Sequence, residues 1–140
     1  MLLDLNNPKH AHVDERLRSD KVIWLNSVRP DGRPHSVIVW FYWDGEHILI
    51  FSRPNNQKLR NIKQNPHVVL ALDNTDEGGD VITIEGTAEL LDEKAVNATM
   101  SEYAQKYATL LQEMGWTAET MAADYSQPIR ITPTKLHMVS

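Results

Sequence analysis

Arg53, Lys58, Arg60 and Lys63 fall within eleven positions of a chain that holds 14 Lys and Arg in all and has a formal net charge of -5. Positive charge gathered in an acidic protein is a place to hold an anion. Its neighbours suggest how. Ser52 closes an apolar strand, Pro54 breaks it, and Asn55 or Asn56 is placed to cap a short helix that runs to Lys63. Free N–H groups at the start of that helix, with the positive end of its dipole, can take a phosphate. Lys58 in the first turn reaches the same oxygens, and Arg53 adds a planar fork. No Walker-type glycine pattern fixes this geometry, so the same residues equally suit a solvated basic helix after a strand.

Other chemistry finds less support. There are no cysteines, which removes disulfides, thiolate zinc sites and cysteine nucleophiles. Of the six histidines, His10 and His12 are two apart and cannot chelate from one helix face; His35, His47, His67 and His137 are scattered. No His-Glu-x-x-His or carboxylate–histidine triplet occurs, so no metal site is expected. No Gly-x-Ser-x-Gly marks a nucleophile. Glu85 and Glu89 share one face of a long strand and read as its solvated side. No catalytic acid, base or nucleophile is assigned.

The elements that position the basic cluster are mostly strands. Pro8 opens a charged helix to about Arg18, with a thin stripe of Ala11, Val13 and Leu17 that closes one end of a sheet. Strands are expected over Lys21–Val28, Val37–Trp43, His47–Phe51, His67–Leu72, Val81–Leu91 and Ile129–Val139. Asp31-Gly32 and Asp44-Gly45, thirteen residues apart, are hairpin signals that predict a three-stranded meander. Its middle strand is apolar on both sides, with Val37, Val39, Phe41 and Trp43 on one and Ile38, Trp40 and Tyr42 on the other. Open antiparallel strands normally show one polar face. A partner or a bound ring is favoured as cover for the second face over the chain's own few helices. The polar loop from Asn74 to Asp80 leads to the long strand, where Gly86 predicts a bulge. Asp92 is placed to cap a helix bearing Val96, Met100, Tyr103, Tyr107, Leu110 and Met114, which Gly115 ends. A short helix, Thr117–Tyr125, precedes the last strand, whose Pro133 calls for an edge or bulge. A hydrophobic sheet with a positive corner suits a ligand with an anionic tail and a flat apolar head, the shape of a nucleotide-like redox cofactor.

These segments resemble the pyridoxamine-5′-phosphate-oxidase-like split-barrel flavoproteins. The likeness is carried by Trp24 through His35, Val39-Trp40-Phe41, Ser52-Arg53-Pro54 with Lys58-Leu59-Arg60-Asn61, and Asn65-Pro66-His67-Val68. Gly79-Asp80-Val81-Ile82, Glu85 through Glu89, and Tyr125-Ser126 with Pro128 through Pro133 look like the deazaflavin-dependent branch. The resemblance runs from about residue 14 onward. It implies a mainly β fold, a six-stranded antiparallel split barrel with a few peripheral helices, dimerised with two cofactor sites at the subunit interface. It also implies that Ser52, Lys58 and Arg53 hold a cofactor phosphate, joined by Asn61. The backbone of Ile38, Val39 and Trp40 would run beside the ring, and Arg130 and Trp116 would contribute from the other subunit. The cofactor would be FMN or the deazaflavin coenzyme F-420, serving hydride transfer with a small conjugated organic substrate. True pyridoxamine-phosphate oxidases carry a C-terminal Arg/His substrate signature that these residues lack, so vitamin B6 oxidation is not expected. The alternative is a non-catalytic cofactor carrier, or a haem- or tetrapyrrole-binding split barrel.

Length and charge bound the rest. At 140 residues one domain is expected, with the helix of residues 8–18 packed on the barrel. A pI near 5.6 argues against a nucleic-acid surface or an anionic membrane. The absence of a signal-like or membrane-spanning segment leads to the expectation of a cytoplasmic protein.

Overall fold

The computed structural model describes residues 2–73, 77–92 and 95–138. Their organising element is one seven-stranded antiparallel sheet in the order β2-β1-β5-β6-β7-β4-β3. The strands are β1 (Ile23–Val28), β2 (Pro34–Val39), β3 (Tyr42–Trp43), β4 (Ile48–Ser52), β5 (His67–Leu72), β6 (Ile82–Leu90) and β7 (Gln127–Met138). The sheet curls so that its two edge strands, β2 and β3, are joined by Trp40 and Phe41 alone. This is a split barrel.

That link corrects the expected meander. Both hairpins form, β1 with β2 and β3 with β4. The strand read as continuous from Val37 to Trp43 instead breaks at Trp40-Phe41, and its halves pair at opposite edges of the sheet. The break is why seven strands are found where six were expected. It also leaves the backbone of Phe41 outside any ladder, deep in the protein, where unpaired polar groups are costly. The Tyr107 hydroxyl meets that need: it accepts from the Phe41 N–H at 2.8 Å and lies 2.6 Å from the Lys21 carbonyl oxygen. The Lys106 ammonium donates to the Phe41 carbonyl at 2.9 Å.

Inside the curl, Ile23, Leu25, Phe41, Ile48, Ile50, Leu70, Ile84 and Ile131 form the main core. Helix α1 (Pro8–Ser19) adds Val13 and Leu17, and α2 (Gln57–Gln64) adds Leu59 and Ile62. Arg16 of α1 is buried too. It pairs with Asp20 and donates to the carbonyls of Asp73 and Asp80, so it clamps both ends of the intervening loop. Gly86 behaves as expected. The β6–β7 register shifts between Glu85 and Gly86, and Pro133 sits opposite Gly86, inside the bulge. A Cβ on Gly86 would lie 2.9 Å from both Ile131 Cγ2 and the Thr132 carbonyl oxygen, so only glycine lets β7 approach this closely.

A second cluster packs on the outer face of the β3–β4 edge. The expected single helix is two, α3 (Ala95–Lys106) and α4 (Ala108–Met114), interrupted at Tyr107, with α5 (Ala118–Asp124) following. Tyr103, Tyr107, Leu111 and Met121 cover Phe51, with Trp40 and Tyr42 against them. The chain's own helices therefore cover Trp40 and Tyr42, where a partner or ligand had been favoured, while Ile38 on the same face stays 51% exposed. Residues 93 and 94, on which the expected cap by Asp92 rests, the side chains of Val96 and Met100, Asn74 to Asp76 and Val139 lie outside the described positions. No described helix is long and apolar enough to cross a membrane.

Candidate functional site

Where the β2–β3 link, the end of β4 and the start of α2 converge with α4 and α5, they enclose a crevice of about 490 Å³, within the range of small-molecule sites. Ile38, Val39 and Trp40 form one wall, Phe51 and Tyr103 the floor, and Met114, Trp116, Met121 and Tyr125 the opposite wall. Arg53, Asn56 and Lys58 stand at its polar end. The apolar walls are held firmly. Trp40 stacks on Tyr107 with ring centroids 4.3 Å apart and planes within 6°, and Phe51 meets Tyr103 edge-on at 4.7 Å.

At the polar end, local backbone explains the arrangement. Asn55 takes φ 69°, a left-handed conformation that asparagine tolerates, and turns the chain sharply between Pro54 and α2. Asn56 is the N-cap residue but makes no side-chain capping bond. The Leu59 N–H turns back to the Asn56 carbonyl at 3.1 Å, which leaves the N–H groups of Gln57 and Lys58 at the start of α2 without a partner among the described residues. Lys58 is half-buried, and burial lowers its pKa from the ordinary lysine value. Among the described residues it has neither a hydrogen bond nor an ion pair. Arg53 likewise has no ion pair among them; its guanidinium lies 5.1 Å from the centre of the Tyr125 ring. An uncapped helix start and two cations without counter-charges among the described residues gather positive charge at one end of an aromatic slot, an arrangement suited to an anion.

The structure sorts the expected site residues into two groups. Ile38, Val39, Trp40, Arg53, Lys58 and Trp116 come together in the crevice, with Trp116 lining the crevice of its own chain. Ser52, Asn61 and Arg130 do not line it. Ser52 is fully buried and its hydroxyl donates to the Arg53 carbonyl at 2.8 Å, a bond that shapes the turn. Asn61 is fully buried as well, donating to the Ser27 hydroxyl at 2.9 Å and accepting from the Gln57 amide, which ties α2 to β1. Arg130 pairs with Glu89 at 2.7 Å across β6 and β7. Of the other basic residues, Arg60 holds the Asn55 carbonyl and Gln57, and Lys63 is exposed.

Sequence reasoning did not assign Phe51, Tyr103, Met114, Met121 or Tyr125 to the site, and gave Asn56 only a capping role. Phe51 reads as strand core and Tyr103 and Met114 as helix core, and only the tertiary arrangement shows that part of this apolar surface faces a gap. Among the described residues no histidine and no carboxylate lines the crevice, and no group of three His, Asp or Glu is placed to hold a metal.

The profile of the family described as pyridoxamine 5′-phosphate oxidase matches residues 10–140. The chain belongs to that family. Among solved structures the chain is similar to an F-420 reductase, 27% identical, with 89% of this chain and 94% of that one covered at a TM-score of 0.71. A conserved hypothetical protein from Mycobacterium tuberculosis is 22% identical, covering 93% and 83% at a TM-score of 0.75. HutZ, the haem storage protein from Vibrio cholerae, is 18% identical, covering 99% and 95% at a TM-score of 0.66. The last two are likenesses of fold. No curated protein matches the chain.

Proposed function

We propose that this family member is an oxidoreductase whose crevice binds FMN or the deazaflavin coenzyme F-420, for hydride exchange with a small conjugated organic substrate. The observation that carries this reading is the pairing of an aromatic slot with an unpaired Lys58 and an uncapped helix start at one end. Lys58, Arg53 and the first N–H groups of α2 hold the phosphate. The Ile38–Trp40 segment flanks the ring, and Met114, Trp116 and Met121 exclude water from it. When bound, the cofactor supplies the hydride chemistry. The protein's part is to bind, orient and shield, which fits the apolar and aromatic lining of the crevice.

Likeness to an F-420 reductase supports the deazaflavin; the family's description supports a flavin. We further propose a homodimer, formed on the outer face of β2, β1 and β5, where Ile38 and Val69 are exposed beside the half-buried Trp24 and Ala71. A second reading, haem binding, rests on the likeness to HutZ. Among the described residues lining the crevice, the side chains that could ligate iron would be Met114, Met121, Tyr103 and Tyr125, since no histidine is among them. Absorption spectra after titration with FMN, F-420 and haemin separate the three. Saturable binding of FMN or F-420 supports the proposal, and an intense Soret band with neither flavin nor deazaflavin bound overturns it.

A further inference from the structure

His35 stands on β2 directly across from Ser27 of β1, and Ser27 in turn accepts from Asn61 of α2. Asn61 lies three residues after Lys58, so the two share a helix face and His35 sits beside the anion-holding corner. The Nδ1 atom of His35 is buried with no hydrogen-bond partner. Either neutral tautomer leaves it unsatisfied, as an acceptor without a donor or a donor without an acceptor. The charged groups facing His35 are Arg29, from the β1–β2 turn, and Lys58, from α2; both are cations. No carboxylate stands among them to offset either.

We propose that His35 is a third member of the anion site, taking up a proton as a phosphate-bearing ligand settles against Lys58. The proposal rests on the phosphate reading of the crevice and deepens it. Without an anion, burial and the charges of Arg29 and Lys58 lower the His35 pKa and keep the ring neutral. A bound phosphate replaces that repulsion with attraction, so the ligand-bound protein holds more protons at His35 than the free protein. Affinity must then rise as pH falls.

The test is an imidazole NMR titration of His35 with and without inorganic phosphate, run beside FMN and F-420 binding isotherms from about pH 8 to about pH 6. Phosphate is expected to raise the His35 titration midpoint, and Lys58→Met to abolish that rise. Cofactor affinity is expected to tighten about three- to tenfold over that range, beyond any change shown by His35→Gln, which corrects for titration of the phosphate itself. A midpoint that ignores phosphate, with FMN or F-420 bound and the pH dependence of His35→Gln equal to the parent's, overturns the His35 role and leaves the cofactor reading standing. A midpoint that responds to phosphate while neither cofactor binds has the opposite meaning.

Discussion

Replacing Lys58 by methionine keeps the packed stem and removes the charge, and two opposite effects should follow. Lys58 is half-buried, unpaired among the described residues, and has its pKa lowered by burial. Its ammonium therefore costs the free protein stability rather than adding to it. The sign follows from linkage. Between the lowered folded value and the ordinary 10.5 the unfolded chain binds more protons, so parent stability rises with pH across that window. In Lys58→Met that contribution vanishes, and the apoprotein should be no less stable than the parent at neutral pH. Ligand binding moves the other way. A charge-assisted hydrogen bond to phosphate contributes roughly 1.5–3 kcal/mol, so affinity for FMN or F-420 should fall about 10- to 150-fold. Riboflavin, which lacks the phosphate, should bind both proteins alike. Urea denaturation and fluorescence titration measure the two quantities. An apoprotein destabilised by the substitution, with phosphate-bearing ligands bound as tightly as before, would refute the assignment of Lys58 to the anion site.

Three further outcomes follow from the fold. Tyr107→Phe strands the Phe41 N–H at the point where the chain switches sheet edges, and should cost about 1–3 kcal/mol in urea unfolding. Gly86→Ala forces a Cβ against backbone at 2.9 Å; about 1–3 kcal/mol of destabilisation is expected by the same assay. Lys106, pushed down to about 8 by burial and by nearby Lys21, makes parent stability rise between about pH 8 and its ordinary 10.5. Lys106→Met should flatten that part of the stability–pH curve, measured by urea midpoints.

Much of the fold is legible in the residues because strand signals here are local. Asp31-Gly32 and Asp44-Gly45 turn the chain where expected, and Gly86 with Pro133 forms the bulge. The break at Trp40-Phe41 was not legible. Seven apolar residues in a row look like one strand, and Lys106 and Tyr107, more than sixty positions away, make the interruption tolerable. The same limit applies to the crevice. Arg53 and Lys58 announce themselves by charge in an acidic chain. Asn61 has the right neighbourhood but turns inward, because Ser27 offers it a buried hydroxyl. Trp116 reaches the slot within its own chain because the helices after Lys106 fold back over β4. His35 is one of the scattered histidines in the sequence, and its buried, partnerless nitrogen becomes visible only in the folded chain.

The most direct test of the central claim is quenching of tryptophan emission during titration with FMN and with F-420, because Trp40 and Trp116 both line the crevice. Saturable quenching by at least one of them, diminished in Trp116→Leu and shifted to higher ligand concentration in Lys58→Met, is the predicted result. No quenching by either at concentrations that saturate related flavoproteins would contradict the account.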